Sequence, residues 1–517
     1  MSGISRRRMI KSGVLGTGFL LGGGLSGLAA GSERSPASEP GPPYGLEGLP
    51  NFKEYKAAKK AARQEIPAVR VDPDNPAILF HDYLCQRCGH CDETCTDQMT
   101  VSHYCKPAAV EGKAVCIHCG QCTNMCKRGG MSERFEFPRI RRMAEDKGRV
   151  LIASTSPAVR VALGESFGLE PGTDCEGKMV EALRRIGFHH VLDTTFAADL
   201  TVVEEAHELI ARLDAKGRSK AALPQFTSCC PAWVRFVEIF YPALLPHLST
   251  TKSPVMIQGA AIKTWFANKS GIDPKSIVNV ACTPCTAKKS EILRPEMNAA
   301  GRRLKDDSVR DMDCALTCRE LAQWIFESRI RFDELPDGEY DSMMGRGSGG
   351  GMIFGNTGGV MEATLRAAWL YVTGTRAPAS FLRLEPVRGL AAVREASLEI
   401  GRKPLRVAVV HGTGTVRPLL DEILKGNAKY DFVEVMACPG GCIGGGGQPK
   451  PGGNGRPDDD LRRKRIDGLY SKDEKQTIRC SADNPDVQAV YREFLGKPLG
   501  PLAHELLHTS YSRSGNC

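Results

Sequence analysis

The chain has 517 residues, 41% of them hydrophobic, a length that suggests three or four domains of about 150 residues each with sizeable cores. Its net charge is +9, and Arg6, Arg7, Arg8 and Lys11 supply four of those charges, leaving +5 for everything after residue 30; so mild an excess, with no basic-aromatic module, argues against a nucleic-acid binder. The 20 cysteines are the anomaly, and in a chain this long their clustered spacings favour metal centres over a disulfide framework.

Ser5-Arg6-Arg7-Arg8-Met9-Ile10-Lys11 resembles a twin-arginine export signal, and a glycine-rich, moderately apolar run follows from Val14 to Ala30. A membrane anchor is the alternative, but six glycines between Gly16 and Gly27 weaken it as a spanning helix. Residues 1–30 are therefore expected to be a signal peptide that sends a folded, metal-loaded protein to the periplasm through the twin-arginine export machinery. Residues 31–75 read as a linker, Gly/Pro/Ser-rich at first, with a short basic helix candidate from Phe52 to Glu65.

Next come Cys85-x2-Cys88-x2-Cys91-x3-Cys95 and, 31 residues later at every member, Cys116-x2-Cys119-x2-Cys122-x3-Cys126. Such runs hold [4Fe–4S] cubanes, the fourth cysteine of each serving the other cluster. This assigns Cys85, Cys88, Cys91 and Cys126 to one cubane and Cys95, Cys116, Cys119 and Cys122 to the other. Residues 76–140 are thus expected to form a bacterial-type two-cluster ferredoxin domain. Zinc also takes cysteines two apart, but eight in this cadence argue against it. Thr96 and Lys127 stand where proline usually follows the fourth cysteine, a change of loop geometry and not of ligands.

From Arg149 onward short aliphatic strands alternate with helices: Val150–Ala153, His190–Leu192, Ile277–Ala281, Arg406–Val410 and Asp431–Val435 against Leu200–Ala215 and Cys314–Ser328. That order predicts an α/β domain with parallel sheets over residues 148–455, so the whole chain is expected to be a multidomain mixture of α+β and α/β. Three strands run into cysteines: Gln225-Phe226-Thr227-Ser228-Cys229-Cys230-Pro231, Val280-Ala281-Cys282-Thr283-Pro284-Cys285, and Met436-Ala437-Cys438-Pro439-Gly440-Gly441-Cys442 before Gly444–Gly447. Strand exits are where open α/β sheets build their sites. Glu205, Glu208 and Arg212 share one helical face, which spacing alone reads as a solvated acidic face. Residues 450–465 read as an exposed connector, and Cys314 and Cys318 as core residues one helical turn apart.

The three cysteine motifs together resemble those around the H-cluster of the [FeFe]-hydrogenases, with a likeness extending from about His81 to Tyr511. The resemblance implies a two-lobed catalytic domain holding a cubane joined to a two-iron unit with CO, cyanide and a bridging dithiolate. It implies Cys230, Cys285, Cys438 and Cys442 as ligands, Cys442 sharing its sulfur with the iron pair. Cys229 would deliver protons, fed through Glu205, Glu208 and Ser249 with Arg212 beside them. Lys288 would donate to a cyanide and be held by Glu291; Ser253 and the backbone at Pro157 would contact other ligands; Phe354 and Met436 would exclude water. Two positions depart from the usual pattern, Thr283 and Val255, and both should line the two-iron unit.

Residues 456–517 resemble the small subunit of periplasmic [FeFe]-hydrogenases fused to the large one, carried by Asn484-Pro485, Tyr491–Leu495 and Ala503–Tyr511, and are expected to be a small helical extension. They contain His504-Glu505-x-x-His508, the zinc-protease spacing, for which helix packing is the expected role. The resemblance thus implies reversible oxidation of H2 to protons and electrons, relayed through two cubanes to a c-type cytochrome, ferredoxin or membrane carrier, after maturation by cluster-building enzymes. A hydrogen sensor and a non-catalytic iron–sulfur assembly protein are the rival readings.

Overall fold

The computed structural model describes residues 68–105, 113–215 and 222–514. The export signal, the expected helix at Phe52–Glu65 and Cys517 lie outside the described residues; residues 68–75 carry no helix. The first described pair of strands, β1 (Ile78–Phe80) and β2 (Met131–Glu133), is antiparallel and brackets both tandem cysteine runs. Short helices follow Gly89 and Gly120, each in a left-handed conformation two residues before the third cysteine of its run.

Two four-stranded sheets form the remainder. In the first, β3 (Val150–Thr155), β4 (His190–Asp193), β6 (Ile277–Thr283) and β7 (Cys314–Thr317) lie in the order β4-β3-β6-β7, all parallel. Both of its faces are covered: Leu151 and Ala153 pack into one apolar cluster, while Ile152 packs into another on the opposite side. This explains the unbroken aliphatic runs, since a parallel strand buried on both faces has no solvent side to mark with polar residues.

The second sheet has the order β5-β10-β9-β8, from β5 (Gln225–Phe226), β8 (Val393–Ile400), β9 (Lys403–His411) and β10 (Phe432–Met436). β10 is parallel to both neighbours, but β8 pairs antiparallel with β9 through the two-residue turn Gly401-Arg402. β8 alternates exposed and covered residues, as an antiparallel edge strand with one wet face does.

The helices that position the site are α1 (Thr194–Ala215), α2 (Pro231–Phe240), α3 (Pro254–Ala261), α4 (Cys318–Glu327), α5 (Asp459–Lys475) and α6 (Pro501–Leu507). Two expectations are corrected. Cys314–Ser328 is not one helix: Cys314 opens β7, and Thr317 then caps α4 in a reciprocal box with Glu320. Pairing along β6 wins over helical spacing there, although both cysteines are buried in the core as expected. Nor are residues 450–465 an exposed connector throughout. Before α5 begins, only the turn at Gly452–Asn454 and the capping residue Asp458 are exposed, and Arg465 is fully buried against the Glu165 carboxylate at 2.7 Å.

Candidate active site

β5, β6 and β10 all end at one place, and their exits carry the three cysteine motifs. Cys230, Cys285, Cys438 and Cys442 line a single cavity of about 70 Å³ together with Cys229. The turn between Cys438 and Cys442 needs glycine: Gly441 has φ 90°, and a Cβ there would stand 2.6 Å from the Thr357 nitrogen. Burial pushes the Cys285 thiol up to about 12 and raises those of Cys438 and Cys442 as well, with neighbouring thiols adding to the effect. Thiols so placed keep their protons until a strongly positive centre displaces them. Among the described residues no three His, Cys, Asp or Glu side chains converge tightly enough for one ion. Four sulfurs around a shared space suit a cluster better than a lone cation.

The other expected contacts surround that cavity. Pro157, Lys288, Phe354 and Met436 line it, as do Thr283 and Val255, the two departures. Lys288 Nζ donates to Glu291 at 2.7 Å and to the Cys229 carbonyl at 3.3 Å, which holds the ammonium at the cavity wall. Ser253 caps α3 just before the lining residues Pro254 and Val255, and its buried hydroxyl has no protein partner. An orphan donor beside the cavity fits a ligand with acceptor atoms.

The face carrying Glu205, Glu208 and Arg212 is buried, not solvated, which overturns the reading from spacing alone. α1 is covered on almost every side, so helical spacing identified neighbours correctly but not their surroundings. Arg212 donates to Glu208 at 2.6 Å and to four backbone carbonyls, at Ala222, Pro246, His247 and Leu248. Ser249 Oγ donates to the other Glu208 oxygen at 2.7 Å, and the Thr250 amide adds a further bond at 3.1 Å. Glu205 Oε2 is buried without a hydrogen-bond partner. Burial, then repulsion from Glu208, raises Glu205 to about 8. After burial itself, Glu205 is the group that does most to raise the Cys229 thiol. Of the expected route residues, Glu208 and Ser249 are joined by a direct hydrogen bond, and Glu205 and Cys229 are buried beside them.

The tandem runs fall into the two expected quartets. Cys85, Cys88, Cys91 and Cys126 line one cavity of about 280 Å³. Cys95, Cys116, Cys119 and Cys122 are mutually close: after burial, Cys122 and Cys95 act most on Cys119, and Cys116 acts most on Cys95. This second quartet abuts the active-site cavity, with Cys438 Sγ 4.0 Å from the Cys119 carbonyl.

Sequence reasoning missed the joint between these parts. Gln121, Thr123 and Asn124 donate to the carbonyls of Gly444, Gly446 and Gly445 at 3.0–3.2 Å. Arg319 clasps the same loop at the Gly446 and Gln448 carbonyls while pairing both oxygens of Glu133. Glu434 was also missed. It lies inside β10, accepts the Gly358 and Met361 amides at 2.6 and 2.8 Å, and burial raises it to about 7. A carboxylate in the middle of a strand buried on both faces was the available signal. His508, by contrast, has both ring nitrogens engaged, with Glu204 at 3.0 Å and Thr250 at 2.8 Å, and His504 is exposed. That leaves no zinc-protease pair.

Residues 149–446 match the family described as "Iron only hydrogenase large subunit, C-terminal domain", and residues 459–514 match "Iron hydrogenase small subunit". The chain is 44% identical to the NADP-reducing hydrogenase subunit HndD of Solidesulfovibrio fructosivorans, over 77% of this chain and 66% of that protein. It is 43% identical to the periplasmic [Fe] hydrogenase large subunit of Nitratidesulfovibrio vulgaris, over 74% and 89% of the two chains. Among solved structures, a Chlamydomonas reinhardtii [FeFe]-hydrogenase HydA1 variant superposes with TM-score 0.64 at 39% identity, covering 74% of this chain and all of that one. Against HndD the chain thus spans just under two thirds of the relative's length, and against the periplasmic subunit nearly nine tenths. With both the large- and small-subunit regions matched in one polypeptide, the chain belongs to the iron-only hydrogenase family.

Proposed function

We propose that the protein interconverts dihydrogen with two protons and two electrons. The observation that carries this reading is the convergence of Cys230, Cys285, Cys438 and Cys442 on one buried cavity with a fifth thiol, Cys229, beside them. Those four sulfurs would hold an H-cluster, which when bound supplies the iron pair at which dihydrogen is made or consumed. The protein's own part is to shape, dry and feed that place. Phe354, Met436 and Pro157 make its wall apolar, and Lys288 and Ser253 offer donors to anionic or polar ligands.

Proton movement falls to the side chains. Cys229 Sγ stays protonated, because burial and the adjacent Glu205 hold its thiol well above the ordinary value. It can therefore give up a proton and be recharged from Glu205 Oε2, itself protonated near neutral pH. The Ser249 hydroxyl donates to Glu208 and would pass a proton between that carboxylate and Glu205. Electrons would pass by way of two cubanes, the quartet containing Cys119 next to the active site and the quartet containing Cys88 nearer the surface. The domain boundaries of the sequence reading, export to the periplasm and maturation by cluster-building enzymes complete the proposal.

The test is infrared spectroscopy of matured protein alongside hydrogen turnover. The expected result is stretching bands of bound CO and cyanide with rapid turnover, and a Cys229→Ala variant that keeps the bands but loses nearly all turnover. Bands with negligible turnover in the unaltered protein would favour the sensor reading; no bands would favour the assembly protein. Undiminished turnover in the variant would remove Cys229 from the mechanism.

A further inference from the structure

Residues 447–458 join the two regions of family match and lie outside both. They bring two cations to the outer quartet of Cys85, Cys88, Cys91 and Cys126, which opens to the surface at the exposed Cys88. Arg456 lines the same cavity as those cysteines, and its Nε is buried without a hydrogen-bond partner. Lys450 Nζ donates to the Cys126 carbonyl at 2.9 Å. Glu133, the carboxylate that acts on Lys450, already has both oxygens taken by Arg319. No carboxylate lines the cavity. Burial lowers the Lys450 ammonium to about 8, which leaves it charged at neutral pH. The inner quartet, beside the active site, has a cation of its own in Arg235, whose Nε donates to the Cys116 carbonyl at 2.7 Å.

We propose that Lys450 and Arg456 set the reduction potential of the outer cubane, raising it so that electrons are drawn outward from the inner one. The proposal rests on the hydrogenase reading above and adds what governs its electron path. A cubane held by four thiolates is anionic and gains one further negative charge, without a proton, when it is reduced. A cation in partly buried surroundings favours that more negative form, and salt screens it little. The exposed Lys127 and Arg128 at the same cavity are screened more strongly and count for less. Lys450 and Arg456 stand on either side of the turn at Gly452–Asn454. The segment that joins the two parts of the chain therefore also sets the energy of the outermost electron site.

The test is a redox titration of full-length protein carrying its clusters, at pH 7, with electron paramagnetic resonance following the reduced cubanes. Cys88→Ser, which strikes the outer quartet alone, assigns the two midpoints. Lys450→Gln/Arg456→Gln removes both charges, and Lys450→Arg/Arg456→Lys keeps them on altered shapes. At the potential where the outer cubane of the unaltered protein is half reduced, its reduced-to-oxidised ratio should fall about tenfold in the neutral variant, a downward shift of about 59 mV for a one-electron couple. The charge-keeping variant should stay close to the unaltered protein, and the inner cubane should move less than the outer in both. Hydrogen-driven dye reduction should slow several-fold in the neutral variant, while exchange of D2 with water protons, which needs no relay, should hold. Equal shifts in the two variants would mean that the segment acts through its packing and not its charge, which overturns the proposal. An unmoved outer midpoint, or a larger shift in the inner one, overturns it as well. Cubane signals without hydrogen turnover in the unaltered protein would instead strike at the hydrogenase reading, and the midpoints would still decide whether the two cations act as proposed.

Discussion

Glu205 and Glu208 lie one helical turn apart yet meet opposite surroundings. Glu208 has a guanidinium, a hydroxyl and a backbone amide around its oxygens. Glu205 keeps one oxygen buried and bare, which is why its pKa climbs to about 8. The proton is then held in the folded state over a range where the unfolded chain has already lost it. Folded Glu205 binds more protons than unfolded Glu205 between about pH 4.5 and about 8, so its contribution to stability falls as pH rises through that window. Glu205→Gln should flatten that fall, seen in denaturant melts of the unmatured protein at pH 5 and pH 8. The same substitution should cut turnover by roughly 10²-fold or more, because an amide cannot pass the proton on. Melts with an unchanged pH slope would mean that Glu205 ionises normally. At this scale the cysteines were legible in the sequence, because a thiol is rare and its spacing is fixed by the cluster it holds. The carboxylates were legible only as a spacing; whether water reached them depended on what packs over α1, which no local pattern states. Glu434 was passed over because Phe432-Val433-Glu434-Val435 read as the alternation of a half-buried strand, whereas every residue of β10 is buried.

At the scale of elements, two of the three strand exits that gather the thiols were readable because β6 and β10 are aliphatic runs of strand length, and the third, after the two-residue β5, was readable from Cys229-Cys230-Pro231 itself. The break at Thr317 was not readable, since Cys314–Ser328 also fits a helical repeat and only pairing with β6 makes its first turn a strand. Nor was the contact of the Gly444–Gly447 loop with the helix Gln121–Met125, made by side-chain bonds to backbone across more than 300 residues. Gly446 is the tightest point of that contact. A Cβ there would stand 2.6 Å from the Gly120 Cα and press on the Cys119 carbonyl, both backbone and unable to turn away. Gly446→Ala should therefore cost about 1–3 kcal/mol of stability by overpacking. It should also widen the gap between Cys119 and Cys438. Hydrogen-driven dye reduction, which must draw electrons across that joint, should slow several-fold, whereas exchange of D2 with water protons should hardly change. Equal losses in both assays would show that the substitution damages the active site and not the joint.

At the scale of the whole molecule, the tail is an integral part of the core. Val487, Val490, Leu506 and Leu507 share an apolar cluster with Phe196 and Leu200 of α1. Buried polar contacts bind it further: the ion pairs of Arg366 with Asp473 at 2.9 Å and Arg465 with Glu165, and the His508 ring nitrogen against Glu204 at 3.0 Å. The Thr509 amide donates to Thr250 and the Ser514 amide to Glu238, so the last described residues run across the segments that flank Ser249 and α2. By contrast, the joining turn is exposed at Gly452–Asn454, and its sharpest residues, Gly452 and Gly453, have positive φ with open space where a Cβ would sit. Continuity of the chain there contributes little beyond raising the local concentration of one part against the other, because the contacts that hold the tail are made elsewhere. Expressing residues up to Gly453 and residues from Asn454 as two polypeptides in one cell should thus yield a complex that co-elutes on size exclusion at the mass of the intact chain. Introducing His508→Ala into the shorter piece removes one hydrogen bond to the buried Glu204, which keeps the Tyr491 hydroxyl and the Leu499 amide, at a cost of about 1.5–3 kcal/mol. The dissociation constant of the split protein should rise about ten- to a hundredfold in consequence. Pieces that never associate would mean that the tail folds onto the core only while tethered, and an unchanged constant in the variant would mean that the His508 contact contributes nothing to holding it.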